Sequence, residues 1–225
     1  LLWAVPAGAE DYHPGDVEVV NNILRVNDAE NGVLAKAGWE IGRPETWPVI
    51  DFRDRSDEPV FDRIQLEIIT GSTGVTWENG RLVELALAFK QLSGSLDVGG
   101  LSELRVLGVV SNRLTEIKGL DTLTKLEAIK ALNNALTSLG DISGLTRLRY
   151  LDLASNKLTA LSGLSGLTGL TYLRLGFNDL ADIGDLSPLT ALESLKVGHN
   201  RLTRLDGLER LSSLRSLDVA DNRLT

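Results

Sequence analysis

A curved, right-handed α/β repeat solenoid is the fold this sequence predicts, with a parallel β-sheet on its concave side and irregular or 3₁₀ structure on its convex side. Three observations predict it. First, the stretch Leu148–Gly169, LRYLDLASNKLTALSGLSGLTG, returns as LTYLRLGFNDLADIGDLSPLTA over Leu170–Ala191, and again as LESLKVGHNRLTRLDGLERLSS over Leu192–Ser213. Second, Asn112, Asn134, Asn156, Asn178, Asn200 and Asn222 follow one another at a fixed step of 22 residues. A repeat of this length marks stacked coils that share one continuous core. Third, the repeats are preceded by a non-repeating, aromatic-rich segment, as a stack needs where its first coil would otherwise show an apolar end to water.

Residues 1–9, LLWAVPAGA, are apolar and close on the small-x-small triplet Ala7-Gly8-Ala9. They read as the remnant of a secretory signal or as an apolar arm. The sequence has no methionine, so Leu1 reads as the start of a processed or trimmed chain. Residues 10–81 are assigned to a small cap of helix plus hairpin. Within it, Pro14-Gly15 is a turn, and Asp16 can cap a following helix by accepting from free backbone N–H groups. Val19, Val20, Ile23 and Leu24 then recur on one helical face. Asn31-Gly32 is a turn signal. Trp39, Trp47, Phe52, Phe61 and Trp77 supply the cap's apolar bulk, and Pro44, Pro48 and Pro59 break up any long helix. DFRDRSDE (Asp51–Glu58) reads as a solvated loop and RIQLEIIT (Arg63–Thr70) as a strand. VTWENGRLVEL reads as a hairpin turning at Asn79-Gly80.

The repeats occupy residues 82–225, about six and a half units with the last incomplete. In L-x-x-L-x-L-x-x-N-x-L, the pair Leu151 and Leu153 marks a short strand with both side chains inward. The Asn sits where the chain turns, and its amide can serve backbone groups that no ladder reaches. The column of six asparagines is therefore expected to be structural. The remaining half of each unit points Leu161, Leu164 and Leu167 inward, with the Gly, Ser and Thr content of tight turns or one turn of 3₁₀ helix. At the far end, Leu217, Val219 and Leu224 would face an open edge, so the natural protein continues or something covers them.

On these residues, the segment 82–225 resembles the leucine-rich repeat family, in the 22-residue form of bacterial surface proteins such as internalins. The first unit departs from the pattern: Lys90 replaces the turn Asn, and QLSGSL resembles the plant-type variant. The segment before it resembles the amino-terminal caps of secreted repeat proteins. The resemblance implies a module that binds other proteins on its concave face, in a secreted or cell-surface setting. An intracellular scaffold that binds an enzyme, in the cytoplasm, is the alternative, as is a piece of a larger protein whose catalytic part lies elsewhere.

Composition narrows the chemistry. Residues 1–81 hold 15 acidic and 7 basic residues, which accounts for the whole net charge of −8; the 16 acidic and 16 basic residues of the repeats cancel. No basic stripe is available for phosphates, so nucleic acid is not an expected partner. No stretch approaches the roughly 20 apolar residues that span a bilayer. There is no cysteine, and the two histidines, His13 and His199, have no second ligand at metal spacing. No phosphate-binding glycine motif occurs. Asp28–Gly32 and Asp179, Asp182 and Asp185 lack the alternating spacing of a calcium loop. We therefore expect no cofactor, no metal and no catalytic residue.

What remains is the concave surface. Strand residues beside the inward leucines form three columns, whose middle collects Lys130, Tyr150, Asp152, Tyr172, Arg174, Phe177, Lys196 and His199. Tyr, Phe and Arg together have the composition of a binding hot spot, and these eight residues are the expected site for a protein partner.

Overall fold

The computed structural model describes residues 12–28, 44–47 and 73–225. The expected signal remnant, the Asp51–Glu58 loop and the Arg63–Thr70 strand lie outside these residues. Helix α1 (Pro14–Asp28) opens the described chain. Strands β1 (Thr73–Glu78) and β2 (Arg81–Leu87) pair antiparallel around Asn79 and Gly80, whose φ of 49° and 74° match the mirror-image turn that an Asn-Gly pair favours. From β2 onward the sheet is parallel. It adds β4 (Val106–Gly108), β6 (Ala128–Lys130), β7 (Tyr150–Asp152), β8 (Tyr172–Arg174), β9 (Ser194–Lys196) and β10 (Ser216–Asp218). Each residue faces its counterpart one repeat away, as in Leu151 beside Leu173 and Leu173 beside Leu195. A separate two-stranded sheet joins β3 (Ser93–Asp97) to β5 (Arg113–Lys118) at the side of the first coils.

One core runs the length of the stack. Leu107, Ile129, Leu151, Leu173 and Leu195 are fully buried beneath the sheet, and Leu123, Leu145, Leu167 and Leu189 are fully buried from the opposite wall. Leu161 is partly buried and packs on that core. Helix α1 and the Pro44–Trp47 segment add Val20, Ile23, Leu24 and Trp47 to the same buried cluster. Tyr12 and Trp47 flank Trp77 with ring centroids 4.7 and 6.1 Å away.

Asp16 departs from expectation. The helix begins at Pro14, and Asp16 does not cap it. Its carboxylate is fully buried and accepts from Arg81 Nε and Nη2 at 3.0 Å each and from the Leu82 N–H at 2.8 Å. A first-turn carboxylate thus fastens the helix to the second strand of the hairpin.

The asparagines form a continuous ladder. Asn156 donates from Nδ2 to the carbonyls of Ala131, Leu153 and Ala154, and its Oδ1 accepts from the Leu136 N–H at 3.0 Å. Asn178 and Asn200 repeat the pattern one coil on each time. The first coil lacks an Asn, and Asn112 reaches back to it by accepting from the N–H groups of Lys90 and Leu92.

The convex side carries a longer period. Asp97, Asp141 and Asp185 alternate with Gly119, Gly163 and Gly207, so like residues recur every second coil. Each aspartate folds its Oδ1 onto the N–H two residues ahead. Each glycine is left-handed and opens a short 3₁₀ helix: Leu120–Thr122, Leu164–Gly166 and Leu208–Arg210. The two types nest. A Cβ on Gly163 would lie 2.5 Å from the Ser143 nitrogen and 2.6 Å from Asp141 Oδ1.

Candidate functional site

The sheet's pleat sets which side chains leave the core. Between two inward residues of each strand, one side chain emerges on the concave face, and a second emerges where the strand begins. The start positions hold Val106, Ala128, Tyr150, Tyr172 and Ser194, and the middle positions hold Gly108, Lys130, Asp152, Arg174 and Lys196. A third column, just before each ladder asparagine, turns back in the left-handed region. Phe89, Ser111, Asn133, Ser155, Phe177, His199 and Asp221 all have φ between 52° and 58° there.

The structure divides the eight expected residues into two groups. Tyr150 and Tyr172 are 1% and 6% exposed, Lys130 is 3% exposed and Asp152 is fully buried. The expectation of a surface hot spot at these four is corrected. The two tyrosine rings stack flat across β7 and β8, with centroids 4.5 Å apart and planes within 1°. Lys130, Tyr150 and Tyr172 are also each engaged by other groups of this chain. Arg174, Phe177, Lys196 and His199 form the second group and reach solvent. Phe177 is 55% exposed, and its ring stacks on His199 with centroids 4.0 Å apart. His199 Nδ1 lies 3.0 Å from Asp221 Oδ2.

Electrostatics differ between the groups. Burial raises the pKa of the Asp152 carboxyl, opposed by the Ala154 N–H and by Arg174, Lys196 and Lys130. Its Oδ1 accepts from the Ala154 N–H at 3.0 Å, while its Oδ2 has no hydrogen bond and lies 3.6 Å from Arg174 Nη1. Burial, and then the Asp152 charge, push the Tyr150 hydroxyl far up, so it stays neutral. The sequence places Phe89 in the same column as Phe177 but outside the eight expected residues, and it is 57% exposed. The Asp16–Arg81 anchor was missed in the sequence.

Among the described residues no group of His, Asp or Glu is arranged to hold a metal ion. No described helix is long and apolar enough to cross a membrane.

A parallel sheet built one strand per coil, tied by an asparagine ladder, defines a repeat solenoid of the protein-binding kind. Residues 131–166 and 146–189 match the family described as leucine-rich repeats (two copies), and the array is a leucine-rich repeat solenoid. Among solved structures, the chain is similar to an internalin of Listeria monocytogenes (27% identity, TM-score 0.53, covering 58% of this chain and 42% of that one). It is also similar to YopM, a leucine-rich effector protein of Yersinia pestis (29%, 0.52, covering 57% and 35%). A third likeness is to the ectodomain of the Arabidopsis thaliana receptor kinase GASSHO1/SCHENGEN3, solved in complex with Casparian strip integrity factor 2 (28%, 0.56, covering 75% and 25%). The chain spans less than half the length of each. No curated protein matches the sequence.

Proposed function

We propose that this chain is a non-enzymatic recognition module that binds a protein partner through the open half of its concave face. Arg174, Phe177, Lys196 and His199 make the contacts. Lys130, Tyr150, Asp152 and Tyr172 form the packed floor that holds them in place. Residues 10–81 act as the cap and 82–225 as the binding array. The setting is a bacterial secreted or cell-surface protein, a reading supported by the likeness to an internalin. The observation that carries the proposal is Phe177, a large apolar ring more than half exposed, on the same coil as the half-buried Arg174. A rigid sheet presents the contacts with little ordering entropy left to lose.

The test is capture of surface proteins from the host and its neighbouring cells by the wild-type chain and by an Arg174→Ala/Phe177→Ala variant with the same thermal midpoint. A protein retained by the wild type and lost by the variant supports the site. Equal retention by both moves it off these coils.

A further inference from the structure

The charges on the open half of the concave face point to the chemistry of its occupant, an inference that rests on the reading of this face as a protein-binding surface. In the described strand pairs, charged residues in register have opposite signs at Glu78 beside Arg81, Asp97 beside Lys118, Lys130 beside Asp152, Asp152 beside Arg174 and Lys196 beside Asp218. Among the described residues one register breaks this rule: Arg174 lies directly beside Lys196. Like charges side by side across paired strands destabilise a sheet.

Arg174 is paired only loosely, and Lys196 lies in register beside Asp218 without closing an ion pair. Asp152 Oδ2 sits 3.6 Å from Arg174, beyond hydrogen-bond reach. Lys196 forms no ion pair with a described residue. Other cations of the array also meet acids one coil back, but at hydrogen-bond distance, as in Lys125 with Glu103, Arg201 with Asp179 and Arg204 with Asp182. Three residues beyond each cation, on the same two coils, stand Phe177 and His199 with their rings stacked and open. The array as a whole is neutral and the chain is acidic, so this paired cation is a local exception.

We propose that Arg174 and Lys196 together receive an acidic side chain of the protein partner, and that the Phe177–His199 shelf takes an apolar or aromatic side chain next to it. The occupant is thus a protein segment in which Asp or Glu neighbours a bulky apolar residue. A carboxylate between the two cations removes the like-charge contact and gains charge-assisted hydrogen bonds from both. Asp152 offsets part of this charge in the free protein, and the partner's carboxylate offsets the remainder.

The test uses the full chain and three probes: a capped octapeptide of alternating Glu and Phe, its counterpart with Gln in place of Glu, and inorganic phosphate. Binding is followed by amide NMR shifts. The acidic peptide is expected to shift the amides of residues 174–177 and 196–199. It should bind about tenfold more tightly than the Gln peptide, and lose that advantage with Lys196→Gln or Arg174→Gln. Lys196→Gln should also raise the thermal midpoint of the free protein while weakening the peptide complex, which a merely structural lysine would not do. Equal binding of both peptides at these amides overturns the acid preference and leaves the concave site standing. Shifts confined to other surfaces, or no shifts, overturn both. Displacement of the peptide by phosphate at equal concentration overturns the assignment to a carboxylate-bearing protein segment.

Discussion

Asn156 shows how one side chain holds two coils. Its amide donates to carbonyls in its own coil and the one before, and its oxygen accepts from Leu136 in the earlier coil. Asn156→Leu removes these partners at once and leaves buried backbone groups unsatisfied, each costing on the order of 1–3 kcal/mol. We expect a loss of about 2 kcal/mol or more by chemical denaturation. An unchanged midpoint would refute the ladder as a source of stability. Asp152 presents the reverse case. Burial raises its folded pKa above the unfolded value, so it binds its proton more readily in the folded state. Its contribution is fully present below the ordinary carboxylate range and is lost as pH rises through the raised pKa. Asp152→Asn keeps the acceptor for Ala154 and removes the buried charge. The variant should melt higher than wild type at neutral pH, with the difference shrinking as pH falls through that range. A variant that melts lower at neutral pH would mean that the Arg174 attraction outweighs desolvation. The ladder was legible in the sequence because six asparagines share one spacing. The burial of Asp152 was not, because strand alternation tells which face a residue leaves by and not how enclosed that face is.

At the scale of elements, the convex side depends on nesting. Gly163 needs φ 88° and also the space of its absent side chain, since a Cβ would meet the Ser143 nitrogen and Asp141. Gly140 is left-handed too, at φ 73°, yet a Cβ there would meet open space. Gly140→Ala should therefore cost only the left-handed penalty, about 1 kcal/mol. Gly163→Ala adds a clash with backbone and should cost roughly 3 kcal/mol or more. Equal losses in a denaturation series would show that the coils slide apart without strain. The cap offers a second comparison. Asp16→Ala strands the Leu82 N–H and a partly exposed Arg81, with an expected loss of about 2–3 kcal/mol. Asp16→Asn, which keeps one acceptor, should lose less. The hairpin at Asn79-Gly80 was legible because its signal is local. The role of Asp16 was not, because its partner lies 65 residues along the chain and no period links the two. The two-coil alternation was in the sequence as Asp97, Gly119, Asp141 and Gly163, but the stronger 22-residue leucine pattern masks it.

At the scale of the molecule, stability is distributed along a line. Each coil touches its neighbours only, so the free energy is a sum of coil terms and interface terms. The first coil has helix α1 and Trp47 against it, with Val20, Leu24 and Trp47 buried in the shared core. Coils in the middle have a neighbour on each side: Leu151 and Leu173 are fully buried. Strand β10 has a partner on one side, and Leu217 and Leu224 are 47% and 39% exposed. In the isolated 225-residue chain, local opening should therefore cost least at Ser216–Thr225 and most near β7. The Tyr150, Tyr172 and Ser216 N–H groups make equivalent bonds, to the carbonyls of Glu127, Arg149 and Glu193 at 3.0–3.1 Å, so bond length does not separate them. Native-state hydrogen exchange should nevertheless rank Ser216 fastest and Tyr150 slowest. The open site straddles this gradient, with Arg174 and Phe177 on a well-buttressed coil and Lys196 and His199 one coil nearer the edge. A partner bridging those two coils should slow exchange at residues 174–177 and 196–199 and leave Ser216, which opens by peeling of the last coil alone, nearly unchanged. If Ser216 exchanges as slowly as Tyr150 in the free chain, the sum-of-neighbours description fails, and the stack unfolds as one cooperative unit.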